Sequence, residues 1–208
     1  MTLGEYFSPV KIANFKSDIN SDIEVVRFFG QYRLDMGGLT QSGEIIEKIW
    51  HKALKTLLLQ DFLPTRILIL GFGAGSAAKV MAKRWKGVNI TAVELDSVVI
   101  ELGKKYFQTG LIPNLKIINT EAASFVVKLK KTTKFDLTLV DCYQGYRIPA
   151  KLQQPAFIAK LKRHSGRVLI NRLFWAEHKA PTLNFLGQLR TIYQVALCRM
   201  PSNIVLGI

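Results

Sequence analysis

Residues 66–96 read RILILGFGAGSAAKVMAKRWKGVNITAVELD. An apolar run of strand length, Ile67 to Leu70, leads directly into Gly71, Gly73 and Gly75. Small residues and a helical pattern follow, and then a second strand at 90–93, closed by Glu94. Glycines at alternate positions let the backbone turn sharply off the strand and bring N–H groups and the helix N-terminus close to a ligand, with no Cβ in the way. An acid at the tip of the neighbouring strand is placed to accept hydrogen bonds from the two hydroxyls of a ribose. The expected ligand is a small molecule containing a nucleoside.

The spacing narrows the choice of nucleoside. A dinucleotide fingerprint needs G-x-G-x-x-G/A, but here the third glycine comes one residue early, at Gly75, and Ser76 stands where Gly or Ala is required. The G-K-[ST] ending of a phosphate-cradling loop is absent from the stretch as well. G-x-G-x-G followed by a strand ending in Glu instead resembles the first two motifs of the class I S-adenosylmethionine (AdoMet) fold.

A chain of 208 residues with 49% hydrophobic content can bury one sizeable core. It has no run of 18 or more apolar residues, and the start MTLGEYFSPVK carries no basic-then-apolar leader, so a soluble cytoplasmic protein is expected. Cys142 and Cys198 are too few for a disulfide framework, which suits a reducing compartment. His51, His164 and His178 are scattered, and no metal is expected. A net charge of +14 attracts anions and makes nucleic acid a candidate partner. The lysines fall mostly at helix ends and on polar faces without interleaved aromatics, so a solvated basic surface is the favoured reading.

Before the glycine loop, 10–15, 23–29 and 32–35 alternate apolar and polar residues as short antiparallel strands, and Gly37-Gly38 breaks the pattern. Residues 44–59 take up helical periodicity. Beyond Glu94, helices are expected at 97–107, 122–131, 154–162 and 182–189. Strands are expected at 116–119, 135–140 and 167–170, with a closing hairpin from 192–199 and 203–208. The expected fold is α/β. A β-hairpin region over 1–43 precedes a doubly wound, mostly parallel, Rossmann-like seven-stranded sheet over 44–208. Ligands of such sheets bind outside the carboxyl ends of the strands, where Asp141 and Glu121 join the glycine loop.

With these residues in view, the chain resembles the spermidine/spermine synthase family. The resemblance is carried by YRLDMGGLTQSGEIIEKIWHK (32–52), ITAVELDSVVIELGKKYF (90–107) and FDLTLVDCYQGYRIP (135–149). It implies AdoMet or decarboxylated AdoMet as donor, bound by Gln41, Gly71, Gly73, Gly75, Glu94 and Glu121, the last standing near the adenine. Asp141 matches the carboxylate that takes a proton from the attacking amine, and its loop, 144–149, is a candidate gate. His51, Trp50, Tyr143 and Gln144 fall at the substrate side, and Trp50 stands in place of a tyrosine. Family members are dimers or tetramers, so a homo-oligomer, as a dimer, is expected.

The chain also departs from the family pattern. Ala74, Ile46 and Gln144 replace acids of the glycine loop, the substrate side and the catalytic loop. Each desolvated cation requires a compensating partner, so these losses weaken the case for a diamine acceptor. The expected activity is alkyl transfer, aminopropyl or methyl, from an AdoMet-type donor to a nucleophile. The alternatives are a methyltransferase acting on a non-polyamine acceptor such as nucleic acid, and a nucleoside-binding homologue without turnover. Structural roles also stand beside the functional ones: Glu94 or Glu121 serving a helix N-terminus, Asp141 starting a turn, and His51, Trp50 or Tyr143 simply packing.

Overall fold

The structure, a computed structural model, describes residues 8–208. Its N-terminal part is a four-stranded antiparallel meander of β1 (Val10–Phe15), β2 (Ile23–Phe28), β3 (Gln31–Met36) and β4 (Leu39–Ser42). The fourth strand is missing from the sequence reading. There Gly37-Gly38 ends the pattern, whereas here it is a two-residue hairpin turn that pairs Met36 with Leu39. Both glycines have positive φ, 55° and 80°, which is the requirement of the turn whose twist matches the flanking strands.

Helix α1 (Glu44–Leu57) begins two residues after β4 and buries Ile49, Trp50, Ala53 and Leu54. The α/β part follows as β5 (Arg66–Leu70), α2 (Ser76–Arg84), β6 (Asn89–Glu94), α3 (Ser97–Phe107), β7 (Leu115–Asn119), α4 (Ala122–Val127), β8 (Phe135–Val140), α5 (Pro155–His164), β9 (Ser165–Leu173), α6 (Lys179–Arg190), β10 (Ala196–Arg199) and β11 (Asn203–Gly207). The seven strands lie in the order β10-β11-β9-β8-β5-β6-β7, parallel from β7 to β9, with β11 and β10 antiparallel at one edge. The mostly parallel seven-stranded sheet is therefore present. The order in which its strands are laid down reverses between β5 and β8, which opens a crevice at their carboxyl ends.

Strand β5 shows why the sheet is covered on both sides. Ile67 and Ile69 join α1 and α2 in one apolar cluster, while Leu68 and Leu70 join α4, α5 and α6 in the other. Alternation along a strand sends successive side chains to opposite faces, and a near-continuous apolar run results when both faces are buried. A third cluster packs Ile23, Val25, Leu34 and Met36 of the N-terminal sheet against Ala74 and against Val99, Leu102 and Phe107 of and just beside α3. The meander is thus seated beside the glycine loop.

Several element bounds differ from those read in the sequence. Helix α4 stops at Val127 rather than 131, because Lys128, Lys130 and Lys131 offer only Leu129 as an apolar residue to bury. Helix α6 starts at Lys179 instead of 182, since Pro181 falls in the first turn, where a missing N–H costs nothing. Strand β10 is confined to four residues, because Ile192 and Tyr193 donate back to Leu189 and close α6 with a turn. Strand β9 runs on to Leu173, and that extension carries Asn171 into the crevice. No helix among the described residues is long and apolar enough to cross a membrane.

Candidate active site

The glycine loop is tied to the tip of β6 through one carboxylate. Gly71 and Phe72 N–H groups donate to Val93 O at 3.0 and 3.1 Å, and Gly73 N–H donates to Glu94 Oε2 at 2.8 Å. The other oxygen of Glu94 accepts from the N–H groups of Leu95, at 2.8 Å, and Asp96, at 3.0 Å. Burial pushes the Glu94 carboxyl above its usual range, and the three N–H donors oppose that rise. Capping of α3 falls to Asp96, whose side chain accepts from Val98 N–H, so Glu94 is left to the loop. At Gly71 the backbone, with φ 85°, passes so close to β8 that an added Cβ would stand 2.2 Å from the carbonyl oxygen of Asp141. Only glycine fits there.

Asp141 lies just past β8, and its N–H donates to Leu70 O at 2.8 Å. Each carboxylate oxygen has a dedicated donor: Trp50 Nε1 reaches Oδ2 at 3.1 Å and Asn171 Nδ2 reaches Oδ1 at 2.8 Å. Asn203 Nδ2 in turn donates to Asn171 Oδ1 at 3.0 Å, which fixes the orientation of that amide. Burial pushes the Asp141 carboxyl up to about 6, and the two donors hold it below where burial alone would leave it. A buried carboxylate that changes charge close to neutrality, with a free lone pair facing a cavity, is suited to accept a proton.

Two cavities meet at this residue, enclosing about 800 Å³ and 810 Å³ with the solvent at their mouths included. Gln41, Ile46, Asp141 and Tyr143 line both. The first runs past Gly71, Gly73 and Glu94 to Glu121, with Ile19 and Asn20 of the β1–β2 turn over it. That turn is held by Asp96, which accepts from Ser17 Oγ and, at 2.7 Å, from Asn20 Nδ2. Ser42, fully buried at the end of β4, accepts from Ala74 N–H at 2.8 Å, so the meander also supports the glycine loop from behind. The second cavity extends between α1 and the end of β9 to Tyr146 and Trp175. The loop after β8 crosses over to the meander, with Tyr146 Oη donating to Gly38 O at 2.9 Å and Gln41 Nε2 to Gly145 O at 3.5 Å.

Charge sets the cleft apart from the rest of the chain. Among the described residues Glu94, Glu121 and Asp141 line the cavities and no Lys or Arg does, although the chain as a whole has 29 basic residues against 15 acidic ones. Such a lining disfavours phosphate and favours a cation.

The residues singled out in the sequence do not all gather here. Gln41, the three glycines, Glu94, Glu121, Asp141, Tyr143 and Gln144 stand at or beside the first cavity. Glu121 is at its rim, bonded to Ser124 Oγ at 2.6 Å and facing Lys151 Nζ at 3.6 Å, and the Ser124 bond holds its carboxyl below the usual range. Trp50 is entirely buried and reaches the cleft only through its bond to Asp141. Tyr143 is anchored on β9, donating to Asn171 O at 3.1 Å and accepting from Leu173 N–H at 2.9 Å. His51 is exposed on α1 and lines neither cavity, since the residue beside it, Trp50, takes the inward face of the helix. Ala74 is buried against α3, away from both cavities, whereas Ile46 lies on the wall they share. Asn171, Ser42, Asn20 and Trp175 are absent from the sequence reading. Asn171 left one signal, a polar residue inside the otherwise apolar run VLI-N of a strand adjoining that of Asp141. No group of three or more His, Cys, Asp or Glu residues able to hold a metal occurs among the described residues.

Comparison with known proteins adds a family to this geometry. The spermine/spermidine synthase domain profile matches residues 47–170, more than half of the chain. The chain belongs to the spermine/spermidine synthase family. Within that family it is similar to a polyamine aminopropyltransferase of Sulfurisphaera tokodaii, 36% identical over 125 residues that make up 57% of this chain and 40% of the relative. The spermine/spermidine synthase fold is seen again in the crystal structure of spermidine synthase from Thermotoga maritima. That structure superposes with a TM-score of 0.75 at 20% identity, covering 95% of this chain and 71% of the other. Human methyltransferase-like protein 13 in complex with SAH shares the α/β architecture at a TM-score of 0.65 and 17% identity, over 78% of this chain and 80% of its own. The chain spans about half the length, or less, of the curated relatives it matches.

Proposed function

We propose that this protein transfers an alkyl group, in the favoured case aminopropyl, from decarboxylated AdoMet to an amine, with Asp141 as the proton acceptor. The observation that carries this reading is the pair of cavities meeting at one buried carboxylate, lined among the described residues with three acids and no Lys or Arg. The donor is a sulfonium bearing an ammonium and is therefore cationic throughout. Its ribose hydroxyls would replace backbone N–H groups as partners of Glu94. AdoMet itself would bring a carboxylate among Glu94, Glu121 and Asp141 with no cationic side chain to receive it, which favours the decarboxylated donor. The acceptor nitrogen attacks the carbon next to sulfur in line, the C–S bond breaks with its electron pair going to sulfur, and one N–H proton passes to Asp141. The protein's contribution is then alignment and removal of one proton. Methylthioadenosine is the nucleoside product. A homodimer belongs to the same proposal and is read by light scattering of the full chain.

Calorimetric titration with decarboxylated AdoMet, AdoMet and methylthioadenosine tests the reading. Decarboxylated AdoMet and methylthioadenosine should bind at least ten times more tightly than AdoMet. Preferential binding of AdoMet would move the protein to methyl transfer, and binding without product in the presence of any amine would leave a nucleoside-binding homologue.

A further inference from the structure

The second cavity has a composition that selects among amines. Among the described residues it holds one carboxylate, Asp141, at its junction with the first. Its walls carry Ile46 and Ile49 of α1, Leu173 of β9 and the rings of Tyr146 and Trp175, with neutral polar groups such as Thr40, Gln41 and Asn203 set among them. Asp35 and Glu177 are outside its lining. Asp35 is held by Arg33 Nη2 at 2.7 Å and by Thr40 Oγ1 at 2.8 Å. Glu177 is 74% exposed beside His178.

From this we infer that the acceptor is a primary amine carrying a single positive charge on an otherwise apolar body, aliphatic or aromatic, rather than a diamine. The inference rests on the transferase reading and adds the acceptor class to it. A diamine with its first nitrogen at Asp141 must place its second ammonium against apolar side chains and neutral polar groups, with no second carboxylate to compensate its desolvation. A monoamine leaves no such charge. Its nitrogen meets Asp141, and its body covers Ile46, Ile49 and Leu173. The rings do not replace the missing acid: Tyr146 stacks on His178 with centroids 5.6 Å apart, Trp175 makes T-shaped contacts with His178 at 4.7 Å and with Tyr146 at 6.0 Å, and a ring carries no net charge to balance an ammonium. They form an apolar end wall. In the reaction the Asp141 carboxylate takes one proton from the bound ammonium and so frees its lone pair; the N–C bond then forms as the C–S bond breaks, sulfur keeps the electron pair, and the product leaves as a secondary ammonium, with no further reactant.

The test offers the full chain decarboxylated AdoMet with putrescine, hexylamine or phenethylamine, and follows the aminopropyl adduct and methylthioadenosine by mass spectrometry. Thermal unfolding with methylthioadenosine plus each amine is measured alongside. Hexylamine or phenethylamine should give a kcat/KM at least tenfold above that of putrescine and should raise the unfolding temperature where putrescine does not. Equal or better performance by putrescine in either measurement overturns the acceptor assignment while leaving the transferase reading intact. If methylthioadenosine binds but no amine is converted, the transferase reading falls, and the amine-dependent unfolding shift alone decides the preference of the cavity. Ile46→Asp supplies a second acid on the shared wall and should move the putrescine-to-hexylamine ratio at least tenfold toward putrescine. An unchanged ratio counts against the inference.

Discussion

The indole of Trp50, fully buried in the core, donates its one N–H to Asp141 Oδ2 at 3.1 Å. A core residue and the proposed base are thereby one unit, and the hydrophobic packing of α1 determines where the carboxylate points. Trp50→Phe keeps most of the packed volume and removes the donor. It should cost about 1.5–3 kcal/mol of stability, the range for a hydrogen bond to a charged group. With one of its two donors gone, the Asp141 carboxyl should rise further, so the acidic limb of the rate profile moves to higher pH. Chemical denaturation and kcat/KM against pH read the two effects, and an unmoved limb would separate Trp50 from the base.

Asp141 should govern the pH dependence of both rate and stability, with opposite signs. As pH falls through about 6 the carboxylate takes up a proton and kcat/KM declines. Asp141→Asn should lose about 10²–10⁴-fold in rate and the limb with it. For stability, the folded carboxyl titrates above its ordinary value of 3.8, so the folded protein holds the proton more tightly than the unfolded chain. That advantage is complete below about pH 4, disappears between there and about pH 6, and stays absent above. The span is worth at most roughly 3 kcal/mol. The difference in unfolding free energy between wild type and Asp141→Asn at pH 4, 5, 6 and 7 measures it, and a flat difference would refute the titration.

Glu94→Gln should weaken binding of methylthioadenosine by about 10- to 100-fold, or 1.4–2.8 kcal/mol. A carboxamide has one acceptor oxygen where Glu94 now uses two, toward Gly73 on one side and Leu95 and Asp96 on the other. Calorimetry on the folded variant gives the number. Glu121→Gln, at the rim, should have a smaller effect, and the reverse order would displace Glu94 from the ribose.

Gly71→Ala should destabilise the protein by more than about 3 kcal/mol, because the new methyl group would overlap the backbone of Asp141 in a conformation that L residues avoid. Low soluble yield and a depressed unfolding temperature are the expected readouts. Ser42→Ala is gentler. It leaves the buried Ala74 N–H without an acceptor and should cost about 1–3 kcal/mol in denaturant titration.

Much of the layout is legible from local signals. Period-two alternation, strand-length apolar runs and the GFGAG turn locate the strands of the sheet and the crevice at their ends, because each of those features is set by residues within a few positions of one another. What escapes the sequence is long-range pairing. Asn171 falls just past the strand read at 167–170, and its meaning comes from Asp141, 30 positions away, across the β8–β9 pairing. Ser42 and Asn20 look like ordinary turn-formers until the meander is seated beside the glycine loop. His51 fails in the other direction. The resemblance puts it at the substrate side, but one step along a helix turns a side chain through roughly 100°, so next to the inward Trp50 it faces solvent.

The near-contact of Gly71 with the carbonyl of Asp141 has a consequence for how this scaffold could be altered. The proposed donor seat and the proposed proton acceptor grow from two backbones with no atom's width between them, so neither can be redrawn without deforming the other. The opposite side of the cleft is built from side chains on α1 and beyond β9, where an exchange such as Ile46→Asp alters a surface and leaves the backbone alone. Anyone seeking a new product from this fold would do well to leave the floor untouched and refurnish the walls.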